Sequence, residues 1–294
     1  MPQQEWSFMQ VDVFADQALQ GCPVAVFYDV PASSGNDVMQ AVAREMHLPE
    51  TVFVTACAED AHLCLVKIFT PVGEVPFAGH AAMGAYFVLR DQGLVGDGTV
   101  HLAAAGETLA CHAEGRQWIW MAAAPASVRR MKIGSRELAA RCGMDADLIS
   151  PMMPPAVART SPEQMLLFVE SAQALADLNF SLVHLATLEQ ECGVQGVYVL
   201  ALTGAGSYAA RYFSNTLSGP QYTLAAGSSA LALGSYLLGC TGETQPRRFI
   251  ISQGEDHLRP SEVHVRLNAQ TRGSLEVGGQ VVQTLRGVVT PSRA

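Results

Sequence analysis

The sequence predicts a mixed α/β protein built as two similar halves, and three observations carry that reading. Strand-like and amphipathic helix-like segments alternate along the 294 residues, a length too great for one average domain and comfortable for two. A Pro-rich stretch (Pro125, then Pro151, Pro154, Pro155 and Pro162) interrupts the pattern and sets the halves at 1–126 and 127–294. Finally, Ala78-Gly79-His80-Ala81-Ala82 is echoed by Ala226-Gly227-Ser228-Ser229-Ala230, 148 positions later. Tyr86 and Tyr236 follow the two segments at similar distances.

In the first half, Met9–Phe14 alternates apolar and polar residues and reads as a strand. Gln20–Pro23 is a turn leading to a second strand, Val24–Tyr28. A helix is expected over Asp37–Leu48, capped by Asn36 or Asp37 and closed by Pro49. Strands follow at Thr51–Ala56 and Cys64–Phe69, then a Pro/Gly-rich loop, Thr70–Gly79, and a helix, His80–Asp91. Gly98–Leu109 and Gln117–Ala122 read as further strands.

The second half repeats this grammar. Asp177–His184 suggests a short helical unit, and Gly196–Leu202 and Tyr208–Phe213 read as strands. A loop over Ser214–Gly227 opens a helix at Ser228–Cys240. Phe249–Gln253, Val263–Leu267 and Ser274–Val277 finish as strands. Each half thus carries a Gly-led helix N-terminus after a loop. In a duplicated fold the cleft lies between the halves, and such termini offer free N–H groups and a positive dipole end to an anion such as a carboxylate.

Composition excludes several functions. The net charge is −9 with no Lys/Arg cluster, which disfavours a nucleic-acid partner. No apolar run is long enough for a membrane helix, and residues 1–13 lack the features of a signal peptide. Seven scattered cysteines (22, 57, 64, 111, 142, 192 and 240) form no Cys-x-x-Cys pair, so free thiols in a reducing cytoplasm are expected. The eight histidines show no metal-ligand spacing, and neither a metal nor a cofactor is expected.

Two residues stand out for chemistry. Glu45 lies seven positions after Val38, which brings it back to within roughly 20° of that residue at 3.6 residues per turn. If Val38, Val42 and Met46 mark the buried face, Glu45 points to the core side. Burial would raise its pKa into the range of a general base or acid. On spacing alone, a Glu at the edge of the buried face, paired with a backbone N–H, is the other reading. His80 follows Gly79 at a helix start, where the dipole disfavours imidazolium. A neutral ring donating or accepting a hydrogen bond is expected there, with a solvated or capping histidine as the alternative. Gly204-Ala205-Gly206-Ser207-Tyr208-Ala209 fits a dinucleotide pattern, but a strand follows it where a phosphate-binding helix is needed, so a hairpin turn is predicted.

Longer motifs carry a family resemblance. VDVFADQALQGCPVAVF (11–27), AREMHLPETVFV (43–54) and KIFTPVGEVPFAGHAAMG (67–84) resemble the phenazine-biosynthesis PhzF-like family. So do RYFSNTLSGPQYTLAAGSSALALGSYL (211–237) and FIISQGEDHLRPSEVHV (249–265) in the second half. The resemblance implies a diaminopimelate-epimerase-like fold, with each half a mostly antiparallel sheet wrapped around a central helix and the active site in the cleft between them. It implies a cofactor-free proton shift, with the family's catalytic Glu placed at Glu45 and its Gly-His motif at Gly79 and His80. Gly227, Ser228, Thr223 and Cys22 would touch substrate.

The departures are specific. Ala78 and Ala226 stand where related epimerases carry thiols, so two-thiol racemisation is not expected. Cys22 replaces the family's usual Asn, Thr223 its Asp, and Ala226 its Thr. The expectation is an isomerase that moves a proton or double bond in a small unsaturated carboxylate of secondary, antibiotic or phenazine-type metabolism. It would be cytoplasmic and, as family members commonly are, a homodimer. The alternative, motivated by Thr223, is a member that binds a small molecule and has lost turnover.

Overall fold

The segment Gly79–Asp91 has no polar face. A helix that is apolar all round must be covered on every side, and the first unit of the fold is the sheet that covers it. The computed structural model describes residues 5–58, 60–76, 78–215, 227–241, 247–255, 258–268 and 274–291. The chain divides into one unit comprising Met1–Ala122 with Gly278–Ala294 and a second comprising Ala123–Val277.

The first unit contains, in chain order, β1 (Trp6–Val13), β2 (Cys22–Phe27), α1 (Asn36–Met46), β3 (Glu50–Cys57), β4 (Leu63–Phe69), the short β5 (Glu74–Val75) and α2 (Gly79–Asp91). β6 (Val100–Ala104), β7 (Glu107–Glu114) and β8 (Trp118–Ala123) follow. Hydrogen bonding runs β1-β2-β3-β4-β6-β7-β8 and then to the chain's last strand, which pairs back with β1 from Trp6↔Val289 to Val13↔Val281. The strands therefore close on themselves and leave no free edge. This closure corrects the expected assignment of all of 127–294 to the second half. Hydrogen bonds to β1 and β8 hold residues 278–289 in the first unit.

α2 fills the ring, with every residue from Gly79 to Leu89 buried. Its small residues Ala81, Ala82, Gly84 and Ala85 permit the close approach, and a Cβ on Gly84 would lie 3.1 Å from Val11 Cγ2. Truncating the fully buried Met83 to Ala is expected to cost about 2–5 kcal/mol through lost contacts and the cavity left behind. Urea unfolding reads this as a lower midpoint with unchanged slope.

α1 packs outside the ring. Met39, Val42 and Ala43 enter a cluster with Trp6, Phe27, Phe53 and Phe69. Lys67 Nζ donates to Asn36 Oδ1 at 2.6 Å and ties the helix start to β4. The helix ends at Met46, two residues earlier than predicted, because His47 adopts the left-handed conformation (φ 51°). Leu48 precedes Pro49 and is steered away from helical angles. The predicted strand Gly98–Leu109 is instead the β6–β7 hairpin, turned by Ala105 (φ 46°) and Gly106 (φ 90°).

The second unit contains β9 (Ser127–Arg130), α3 (Ser135–Cys142), β10 (Ala156–Arg159), β11 (Gln164–Val169), α4 (Ala172–Asp177), α5 (Leu182–Cys192), β12 (Val197–Gly204) and β13 (Ser207–Phe213). Then come α6 (Gly227–Thr241), β14 (Arg247–Gln253), β15 (Ser261–Asn268) and the start of β16 (Ser274–Val289). Its strand order is β15-β14-β13-β12-β11-β10-β9. α6 packs against β9, β10, β11 and β15. α3, α4 and α5 contribute to a separate apolar cluster with Met165, Leu167, Val197 and Val199.

The internal order of the two units is the same. In the first, β1–β2 is antiparallel, β2–β3 parallel across α1, β3–β4 antiparallel, β4–β6 parallel across α2, and β6–β7 antiparallel. In the second, β10–β11 is antiparallel, β11–β12 parallel across α4 and α5, β12–β13 antiparallel, β13–β14 parallel across α6, and β14–β15 antiparallel. The echoed tyrosines match too: Tyr86 Oη donates to Gly98 O and Tyr236 Oη to Pro154 O. The glycine-rich segment at 204–209 is the β12–β13 hairpin turn, as its sequence predicts.

The cysteines depart from expectation. Cys57 and Cys64 form a disulfide across the β3–β4 pair, with Cα atoms 4.0 Å apart. Strand register brings the two sulfurs together, and register is not readable from the spacing of cysteines. Cys22, Cys111, Cys142 and Cys192 are free thiols. Among the described residues no helix is long and apolar enough to cross a membrane.

Candidate active site

Three chain segments converge at one end of the first unit. Gly21, in a left-handed turn (φ 64°), delivers Cys22 to the start of β2. The αL turn at His47 and the following Pro49 bring the chain from α1 straight into β3, placing Glu50 beside Val24 in the parallel β2–β3 pair. The first turn of α2, after the β4–β5 loop, presents His80.

His80 Nε2 lies 2.6 Å from Glu50 Oε2, with the two side chains 9% and 18% exposed. Cys22 is buried, and a ligating atom of each of Cys22, Glu50 and His80 lies within 4.8 Å of the others. The opening of the site is therefore on the side of the Glu50 carboxylate. The hydroxyl of the neighbouring Thr51 is buried and has no hydrogen-bond partner among the described residues.

The His80 pKa is raised well above the ordinary imidazole value. Burial pulls it down most strongly, but electrostatic interactions with Cys22 and Glu50, and hydrogen bonds to both, together outweigh it. This corrects the expectation of a neutral ring. A helix N-terminus disfavours the cation by about 0.3–1 kcal/mol. A carboxylate 2.6 Å away favours it by on the order of 6 kcal/mol at an effective dielectric constant near 20. The imidazolium donates its Nε2–H to Glu50 and fixes one carboxylate oxygen in place.

Glu45 is not part of this cluster. It is exposed on α1, and the expectation that it points to the core does not hold. The buried stripe is Met39, Val42 and Ala43, while Val38 lies only partly buried at its edge. Taking Val38 as the centre rotated the predicted stripe. Measured from Met39, Glu45 is about 120° around the helix. Glu50 follows Pro49 and lies outside the helical pattern. The signal that could have found it is an acidic residue opening an otherwise apolar strand, Glu50–Val54.

The remaining predicted residues lie elsewhere. Gly79 is the first residue of α2 and is buried directly before His80. Gly227 opens α6 in the second unit, with Ser228 half-buried after it. Ser229, in the same turn, is 1% exposed, and its hydroxyl has no partner among the described residues. Thr223 lies outside the described residues.

Known proteins match this chain along most of its length. The family described as phenazine biosynthesis-like protein matches residues 11–287. The chain is 30% identical to trans-2,3-dihydro-3-hydroxyanthranilate isomerase of Pseudomonas aeruginosa, over 92% of this chain and 95% of that one. A solved structure of a predicted epimerase from Pseudomonas aeruginosa has a TM-score of 0.80 at 29% identity, covering 98% of this chain and 100% of its own. A PhzF-family phenazine biosynthesis protein of Bacillus anthracis has a TM-score of 0.84 at 17% identity, covering 97% and 99%, and shares the fold.

Proposed function

We propose that Glu50 is the proton carrier of this chain, which belongs to the phenazine biosynthesis-like family and is similar to proteins named isomerases, among them trans-2,3-dihydro-3-hydroxyanthranilate isomerase. The observation that carries this reading is the Glu50–His80 contact of 2.6 Å at the start of a buried helix.

The reaction needs no change of oxidation state. A Glu50 oxygen takes a proton from a saturated carbon next to a double bond. The electron pair of the broken C–H bond shifts the double bond, and the carboxyl group, after exchanging its proton with solvent through its exposed side, delivers a proton to another carbon of the system. His80 holds the carboxylate in one orientation and places positive charge beside an anionic substrate. The free N–H groups at the α2 start favour a substrate carboxylate. The substrate class is a small unsaturated carboxylate of secondary metabolism. No cofactor takes part, and the working form in the cytoplasm is a homodimer.

The relative's substrate, trans-2,3-dihydro-3-hydroxyanthranilate, is the first compound to test, together with other cyclic unsaturated carboxylates. Incubation in D₂O is expected to place one solvent deuterium on carbon in the product, read by NMR or mass spectrometry. A compound that binds with no deuterium uptake, across the whole set, would instead establish the reading of a binding protein without turnover. Light scattering is expected to give the mass of two 31.3 kDa chains.

A further inference from the structure

The side chains around the Glu50 carboxylate also form a donor set for a borderline-soft cation, and we propose that Cys22, Glu50 and His80 constitute a Zn²⁺ site. The three residues are 28 and 30 positions apart. That matches no short ligand motif, so the sequence carries no sign of it. The fold alone assembles the set, from the first residue of β2, the first residue of β3 and the first turn of α2.

The donors are the Cys22 sulfur, His80 Nε2 and a Glu50 oxygen; on binding, the ion replaces the Nε2 proton that His80 gives to Glu50 and the thiol proton of Cys22, and both protons leave to solvent. Three protein ligands with a fourth position open is the composition of sites in which Zn²⁺ retains a water or exchangeable ligand. The thiol decides which ion: sulfur disfavours Mg²⁺ and Ca²⁺, which prefer oxygen cages, and favours Zn²⁺.

The geometry is close to what the ion needs. Tetrahedral Zn²⁺, with bonds of about 2.0–2.3 Å, holds its ligand atoms about 3.3–3.8 Å apart. Here all three atoms lie within 4.8 Å of one another, and Nε2 and Oε2 are 2.6 Å apart. The short edge has to widen by about 1 Å and the sulfur to close in by a similar amount, shifts within reach of side-chain rotation. Glu50, with its side chain 18% exposed, gives the ion its way in.

If Glu50 is the proton carrier, and this part rests on that reading, a bound Zn²⁺ takes the base out of use. The ion then acts as an inhibitor of the isomerase. Metal binding itself does not depend on what reaction the protein performs.

The test uses the full chain with the Cys57–Cys64 disulfide intact, stripped with EDTA and then transferred to chelator-free buffer. Titration with Zn²⁺ against a chromophoric indicator is expected to give one ion per chain. Cys22→Ser, which keeps the size of the residue and removes the soft ligand, is expected to weaken binding at least tenfold, and His80→Gln to do the same. Co²⁺ in place of Zn²⁺ is expected to show a thiolate-to-cobalt charge-transfer band that Cys22→Ser abolishes. A measurement on the parent protein avoids any folding defect of the variants. One equivalent of Zn²⁺ should slow maleimide alkylation of Cys22, mapped by mass spectrometry.

Zn²⁺ binding that is unchanged in both variants, or Cys22 alkylation that is indifferent to Zn²⁺, overturns the proposal. Deuterium wash-in measured in EDTA tests the proton carrier separately. Wash-in without Zn²⁺ binding at these residues sinks the metal site alone, and Zn²⁺ binding without wash-in sinks the proton carrier alone. Where both hold, one equivalent of Zn²⁺ is expected to suppress wash-in.

Discussion

Glu50→Gln is expected to lower proton transfer by about 10²–10⁴-fold, the usual contribution of a positioned acid or base, while Glu45→Gln leaves the rate essentially unchanged. The amide is nearly isosteric with the carboxyl group but cannot accept and return a proton. It can still accept the Nε2–H of His80, so the fold and the α2 start should survive. Deuterium wash-in, with circular dichroism to confirm folding, measures both variants. The pair discriminates between two carboxylates only five positions apart. One is exposed on the flank of α1. The other is held at 2.6 Å by a buried imidazolium. If Glu45→Gln were the variant that lost exchange, the assignment to Glu50 would fall.

The second large effect is on stability. Gly21→Ala is expected to destabilise the first unit by about 3 kcal/mol or more, from left-handed backbone strain of roughly 1–2 kcal/mol and overpacking of about 1–3 kcal/mol. Gly21 has φ 64°, and a Cβ there would lie 2.4 Å from Val13 O and 2.8 Å from Ala15 Cβ. The carbonyl belongs to the residue that pairs with Cys22 across the β1–β2 ladder, and backbone on a paired strand does not rotate aside. The added methyl group therefore forces the hairpin end apart and displaces Cys22 from His80 and Glu50. A fall in melting temperature of about 6–12 °C follows for a domain of this size, read by calorimetry. Gly96→Ala is the control, since a Cβ there meets nothing within 4 Å and its effect should stay within about 0.5 kcal/mol.

Much of the architecture is legible in the residues. The α2 segment is apolar on every side, which demands a covering sheet, and its echo at Gly227–Ala230 predicts a second such helix. The structure has both, each inside a unit with the same order of antiparallel and parallel pairs. The hairpin at Gly204–Ser207 follows from turn chemistry alone. Segments that depend on distant partners are missed. Ser127–Arg130 and Ala156–Arg159 are only four residues each, too short to show a period, and they become strands because β11 and each other complete their ladders. The return of β16 to β1 joins residues some 270 positions apart, which no local pattern encodes.

The site divides along the same line. The sequence by itself determined the family and the two Gly-led helix starts, and it singled out His80 and Cys22 as candidates, because these rest on local motifs and on the small residues a buried helix start needs. It placed the proton carrier at Glu45 on the expectation that this side chain points to the core, but a helical wheel fixes relative angles and not which face meets the sheet. Only the tertiary structure decided that. Met39, Val42 and Ala43 turn inward against Phe27 and Phe53, which leaves Glu45 in water. The αL residue His47 and Pro49 end the helix in time for Glu50 to open β3 against His80. The charge of His80 was likewise a tertiary outcome. Cys22 and Glu50, which only the fold brings beside it, raise its pKa against the opposing effect of burial.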